Sequence, residues 1–178
     1  MSINKKKILA ISGSTRKEST NHKILEFIAR KFCNILDIEI YDGVDKLPHF
    51  NTELDDNNLP IEVSQSREKI EKADGVLFCT PEYIFSLPGS LKNAIEWNVS
   101  TRLFADKPVA IIVASASWEK AFESLGLIME TIEAKIPSES RLLIQGAKGK
   151  VNPDGSITDK NILQEVDHLI SSFSKSMV

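Results

Sequence analysis

The chain has 178 residues, 42% of them hydrophobic and 26% charged, with a formal net charge of −3 when the histidines are neutral. A chain of this length suits one domain, spanning residues 1–178, and buries roughly 70% of the surface its unfolded form exposes, so neither metal nor disulfide is needed to fold it. The charge balance excludes the clustered basic excess of a nucleic-acid binder, and no apolar run approaches the roughly 20 residues of a membrane-spanning helix.

The basic run Lys5-Lys6-Lys7 precedes an apolar stretch, residues 8–11, that is too short for the core of a signal peptide. Residues 7–12 read as a buried strand. Residues 20–36 follow as a helix, with Ile24, Ile28 and Phe32 at helical spacing and Leu25 and Ala29 beside them. A short alternating strand is expected over 37–41, then an exposed loop over 47–60, where two prolines meet several Asp and Asn residues. Residues 62–72 are helical in pattern, and GVLFCT, residues 75–80, is the continuous apolar run of a strand covered on both faces. Further on, helices are expected over 89–97, 119–134 and 159–173, strands over 108–115 and 141–144, and a turn over 151–156. The last helix carries one apolar stripe: Ile162, Leu163, Val166, Leu169, Ile170 and Phe173.

Strands that alternate with helices imply a parallel sheet with helices on both faces. The prediction is a three-layer, doubly wound, five-stranded α/β fold with the flavodoxin-like strand order 2-1-3-4-5. Ligands of such sheets sit beyond the carboxyl ends of the strands, so the loops after strands one, three and four are the ones to inspect. Cys33 and Cys79, far apart and in apolar surroundings, read as buried free thiols of a reducing cytoplasm. His22, His49 and His168 are isolated, and no metal ligand is assigned.

The first loop reads GSTRKESTN, residues 13–21. Gly13 is expected to let the backbone turn sharply as it leaves the strand. Ser14, Thr15, Ser19 and Thr20 offer hydroxyls, Arg16 offers a planar fork suited to phosphate oxygens, and Asn21 stands at the helix entry. The first turn of the next helix adds unpaired N–H groups and the positive end of a dipole. Together these form a site for a phosphate monoester, while the alternative is an ordinary helix cap at Ser19 or Thr20 beside a solvated Arg16. The stretch is neither GxGxxG nor GxxxxGK[ST], which disfavours a dinucleotide pyrophosphate and a P-loop nucleotide.

The second loop opens the stretch PEYIFSLPGSLKNAIEW, residues 81–97. Pro81 and Pro88 fix φ, Gly89 is expected to relieve strain at the helix entry, and Tyr83 and Phe85 supply flat apolar surface for a planar ring. The alternative places Tyr83, Phe85 and Trp97 in the core or at a subunit contact. Leu91, Ile95, Trp97, Phe122 and Leu125 are open to the same two readings, with the sheet-facing core as the default.

GSTRKESTN resembles the G-S-x-R-x-x-S-x-N phosphate loop of the NAD(P)H-dependent FMN reductase family. PEYIFSLPGSLKNAIEW resembles the P-E-Y-x-x-S-x-P-G-x-L-K-N-A-I-D-W segment of the same family, and DGSITDKNIL its turn into the last helix. The resemblance implies FMN as cofactor, NAD(P)H as co-substrate, and a small acceptor: a flavin, quinone, azo compound or metal oxyanion. It also implies ping-pong hydride transfer with no side chain acting as acid or base, so no catalytic residue is named. A homodimer or homotetramer in the cytoplasm is the expected form, with no nucleic-acid or membrane partner. Residue by residue, Ser14, Arg16, Ser19 and Asn21 match the positions around the FMN phosphate. Pro81, Glu82, Tyr83 and Ile84 match the loop bordering the isoalloxazine ring, Ser86 the serine that holds this loop, and Ser115 and Ser117 the start of a third flavin loop.

Two departures stand out. The family often has Asn at the position of Ile84 and Tyr at that of Phe85. Its third loop usually carries glycine pairs, whereas this chain reads SASWEKAFESLG with Trp118 in place of a glycine. An indole there stacks on the flavin, covers it, narrows access for NAD(P)H, or packs at a dimer contact. Two rival functions are kept: a one-electron carrier, disfavoured by the absence of a T-x-T-G-x-T loop and by the modest charge, and a non-catalytic domain that lost or repurposed the flavin.

Overall fold

The computed structural model describes residues 5–16, 18–55, 58–116, 119–152 and 154–177. Five strands are present among them: β1 (Lys6–Ser12), β2 (Leu36–Tyr41), β3 (Gly75–Thr80), β4 (Val109–Ser115) and β5 (Arg141–Gln145). They form one sheet in the order β2-β1-β3-β4-β5, and every neighbouring pair is parallel. The helices between them are α1 (Thr20–Lys31), α2 (Ile61–Lys72), α3 (Gly89–Glu96), α4 (Lys120–Thr131) and α5 (Lys160–Ser176).

Period-two side-chain alternation divides each strand between two cores. On one face Ile8, Ala10, Leu77, Cys79, Ala110 and Ile112 pack against α1 and α5. On the other, Leu9, Ile11, Val76, Phe78, Ile111 and Val113 pack against α2, α3 and α4. Both faces of β3 are covered, which is why GVLFCT carries no polar alternation. The apolar stripe of α5 is buried as expected, with Leu163 at its half-buried margin.

Three expectations are corrected. Helix α1 ends at Lys31 rather than running to Leu36, because Leu36 is already paired with Lys6 as the first residue of β2. Cys33 is exposed in the turn after α1, while Cys79 is buried. The 47–60 loop is not simply exposed. Leu47 is buried, and the hydrogen bonds described below strap the segment to the domain. Leu91, Ile95, Trp97 and Leu125 belong to the core, and Phe122 is half-buried against it.

Candidate functional site

Parallel pairing brings the carboxyl ends of all five strands to one edge of the sheet, and the loops after β1 and β3 meet there. Loop one leaves β1 at Gly13, whose N–H donates to Cys79 O across the gap to β3 at 2.9 Å. The residue is glycine for a different reason than a sharp turn. A Cβ at this position would lie 2.0 Å from Thr80 Oγ1, so only a bare backbone fits beside β3.

Beyond Gly13 the loop folds on its own polar groups. Ser12 Oγ donates to Ser14 O at 3.1 Å and accepts from Ser14 N–H at 3.2 Å, and Arg16 N–H donates to Ser14 Oγ at 3.4 Å. Ser19 N–H donates to Arg16 O at 3.1 Å, which sets Ser19 at the N-cap position of α1. There its side chain makes no capping hydrogen bond, and the first turn of α1 contains no acidic residue. The capping alternative therefore fails at Ser19. The amino end of α1 keeps its N–H donors and its positive dipole end available to an external anion. The neighbouring carboxylate, Glu18, is held by Lys23.

Ser14 and Arg16 line an open cleft of about 680 Å³ together with Ser12, Thr15 and the segment from Tyr41 to Lys46. Glu26, Asp42, Asp45 and Lys46 line the same cleft, so its charges are mixed. Asn21 does not line this cleft. It is buried, and its Oδ1 accepts from Cys79 Sγ–H at 3.4 Å, which ties α1 to the end of β3. Burial pushes the Cys79 thiol far above its ordinary range, so this sulfur is a packing atom and not a thiolate.

Loop two begins at buried Pro81, whose carbonyl accepts from Thr80 Oγ1 at 3.1 Å. Next, the Tyr83 and Ser86 main chains exchange hydrogen bonds of 3.0 and 3.1 Å, closing a two-residue turn. The residues at its tip, Ile84 and Phe85, have φ of 50° and 56°. Positive φ at both central positions is the signature of a type I′ hairpin turn, where Asn and Gly are the favoured residues. Strain in this loop thus sits at Ile84 and Phe85, not at Gly89, which has open space around it and ordinary φ. Tyr83, Ile84 and Phe85 are 46%, 95% and 56% exposed, so neither aromatic ring is in the core. Ser86 holds the turn through its main chain.

Glu82 faces the opposite way from this tip. Its Oε2 accepts from Ala121 N–H, in the first turn of α4, at 2.8 Å. The carboxylate caps α4 and meets the positive end of its dipole. Its other oxygen, Oε1, is buried without a hydrogen-bond partner among the described residues. Ser115, the last residue of β4, is buried and registers with Gln145 of β5. Ser117 and Trp118 lie outside the described residues.

Sequence reasoning missed Asn93 and Trp97 as fasteners. Asn93 Nδ2 and Trp97 Nε1 both donate to Pro48 O, at 2.9 and 2.8 Å, and Phe50 N–H donates to Asn93 Oδ1 at 2.7 Å. Arg67 extends the clasp: its guanidinium pairs with Asp55 at 2.6 Å, and its Nε donates to Trp97 O at 2.9 Å. Polar side chains on a helix after a ligand loop carry no sequence mark of a partner more than 40 residues upstream. A second hollow, of about 390 Å³, is walled by Glu39, Glu68, Lys69 and Lys72. Those groups pair with one another, Lys69 with Glu39 and Lys72 with Glu68, which makes a solvated charged face rather than a ligand site. No group of three or more His, Cys, Asp or Glu able to hold a metal occurs among the described residues.

The family described as NADPH-dependent FMN reductase matches residues 6–146. A subunit of an NADH:(hydroxy)cinnamate reductase from Vibrio ruber is 35% identical over 171 residues, covering 93% of this chain and 84% of the relative. A quinone reductase of Escherichia coli K12 is 25% identical over 178 residues, covering 96% of this chain and 95% of the relative. Among solved structures, the flavoenzyme NAD(P)H:(acceptor) oxidoreductase FerB of Paracoccus denitrificans superposes with a TM-score of 0.85 at 28% identity, covering 97% of each chain.

Proposed function

The chain belongs to the NADPH-dependent FMN reductase family, and we propose that it reduces a small-molecule acceptor by a ping-pong exchange at the carboxyl edge of its sheet. It is an oxidoreductase that uses FMN with NAD(P)H as electron donor. When bound, FMN would supply the redox chemistry that links a reduced nicotinamide to the acceptor. The rest is the task of the chain: to hold a phosphate tail, to border a planar ring and to keep both in register.

The observation that carries this reading is the amino end of α1. It lacks a side-chain cap and a first-turn acid, and it stands beside Ser14 and Arg16. Water can satisfy free helix-end donors, as at the equally uncapped amino end of α3, but the end of α1 also stands beside a serine hydroxyl and a guanidinium, which add donors suited to a phosphate. In this proposal Ser14, Arg16 and the first-turn N–H groups of α1 hold the phosphate. Ser19, buried at the N-cap, shapes the turn, and Asn21 braces it against Cys79. Pro81, Glu82, Tyr83, Ile84 and Ser86 form the wall beside the ring; the Tyr83 and Ser86 N–H groups close the turn, which leaves those of Glu82 and Ile84 for the ring edge. Ser115 begins the third side. No side chain is assigned as a general acid or base.

The acceptor class is a flavin, quinone, azo compound or metal oxyanion. A homodimer or homotetramer is part of the proposal. With Leu91, Ile95, Trp97 and Leu125 in the core, the exposed Leu127 and the half-buried Phe122 and Ile128 are the apolar side chains of α4 left for a contact. Two free cysteines suit a reducing cytoplasm, and no helix among the described residues is long and apolar enough to cross a membrane.

Fluorescence titration with FMN, followed by anaerobic addition of NADPH, tests the reading. Binding with loss of the oxidised flavin absorption is expected, and Arg16→Ala is expected to weaken FMN binding by about 1–3 kcal/mol, the range for a charge-assisted hydrogen bond. A protein that takes up no FMN refutes the proposal, and one that binds FMN without bleaching is a carrier instead.

A further inference from the structure

Four non-glycine residues among those described have positive φ: Ile84, Phe85, Asp106 and Glu133. Asp106 and Glu133 are polar, and each forms a surface ion pair, with Lys135 and Arg102. Ile84 is different in kind. A β-branched side chain is the least suited to the left-handed region, because its Cβ substituents crowd the backbone. Nor does packing offset the strain, since Ile84 is 95% exposed at the tip of the turn. The reciprocal hydrogen bonds of Tyr83 and Ser86 hold the tip rigidly in place. A strained, uncovered, apolar residue on a rigid support is a cost with no return in the isolated chain.

Position supplies the return. The turn follows β3 directly, at the sheet edge where the proposed ring site lies. The aromatic rings of Tyr83 and Phe85 flank Ile84 on the same turn, both about half exposed. Resting on the FMN reading above, we infer that Ile84 is a specificity-determining residue: its side chain forms an apolar wall over the acceptor position, favouring uncharged planar acceptors over anionic ones. The turn thereby exchanges stability for contact area with the acceptor.

This account makes two changes of opposite sign follow from one substitution. Asparagine occupies the left-handed region readily and is polar. Ile84→Asn should therefore raise the melting temperature of the FMN-free protein by about 2–4 °C. In the FMN-loaded protein, the ratio of kcat/KM for menadione to kcat/KM for ferricyanide should fall about tenfold, the loss expected when a partly buried aliphatic contact is removed. Ile84→Val, which keeps both the strain and the apolar surface, should retain the wild-type melting temperature and most of the ratio. A melting temperature that stays level or falls in Ile84→Asn shows that the turn is not strained and overturns the inference. So does an unchanged acceptor ratio, including the case in which the substitution instead shifts the oligomeric state, which would make Ile84 a subunit contact. In each of those outcomes FMN binding by the wild type still stands, whereas failure of the wild type to bind FMN removes both readings.

Discussion

Replacing Gly13 with alanine tests how the first loop is seated. An added Cβ would lie 2.0 Å from Thr80 Oγ1, 2.6 Å from Thr80 Cβ and 3.0 Å from Leu91 Cδ2. The first of these is about 1 Å closer than the tightest contact a real Cβ tolerates, and interiors packed to crystal density have little slack to absorb it. Two escapes exist. Thr80 can rotate, which breaks its 3.1 Å hydrogen bond to Pro81 O, or the end of β1 can retreat, which breaks the 2.9 Å bond from Gly13 N–H to Cys79 O. Overpacking costs about 1–3 kcal/mol and the lost hydrogen bond about 0.5–1.5 kcal/mol, so Gly13→Ala should destabilise the domain by about 2–4 kcal/mol. For a domain of this size that is a fall of about 4–16 °C in Tm, measured by circular dichroism. FMN affinity should fall with it, because either escape displaces loop one or loop two. Adding Thr80→Gly removes the opposing side chain, so the double variant should be more stable than the two single costs predict. A Tm within about 1 °C of wild type, or strictly additive costs, would refute the close-approach argument.

Two further outcomes follow from the same edge. Glu82→Ala removes the cap on α4 and should cost about 1–2 kcal/mol in urea unfolding, with faster hydrogen exchange at the Ala121 amide; unaltered exchange there means that the carboxylate is not the cap. Thiol titration should find one reactive cysteine in the native protein, the exposed Cys33, and two after denaturation, since Cys79 is buried with its thiol held protonated by desolvation; two native thiols would contradict the packing of β3 against α1.

Much of the fold was legible because its signals are local. A strand buried on both faces must be apolar throughout, so GVLFCT declared both itself and the parallel sheet, and the stripe of α5 repeats at helical spacing. The polar loop after β1 is a local signal of the same kind: several hydroxyls and a guanidinium before a helix mark it as a stretch to inspect. What escaped is set by contacts between distant segments. Nothing near Glu82 marks its partner at Ala121, and nothing near Trp97 marks Pro48. Cys33 was misread because apolar neighbours, Phe32 and Ile35, do not say which side of a turn faces the sheet. Gly13 was read as a hinge, although what demands glycine there is the Thr80 side chain across the sheet, a residue 67 positions downstream.

These long-range contacts share an origin, and that constrains how the site works. Gly13 is hydrogen-bonded to Cys79 O and packed on Thr80, Asn21 is held by Cys79, Thr80 holds Pro81, and Glu82 reaches from the next residue to α4. Among the described residues, these tethers from loop one, loop two and the entry of α4 end on or beside the last two residues of β3. In the order β2-β1-β3-β4-β5 this is the central strand, paired on both sides and covered on both faces. It is therefore the part of the sheet least able to shift when a ligand arrives. A site that must grip a phosphate at one end and border a ring at the other depends on a fixed separation between its loops. Anchoring both to one strand end sets that separation. Ile84 lies at the tip beyond the Tyr83–Ser86 closure and is 95% exposed, so its side chain can vary with the acceptor while the cofactor end stays constant.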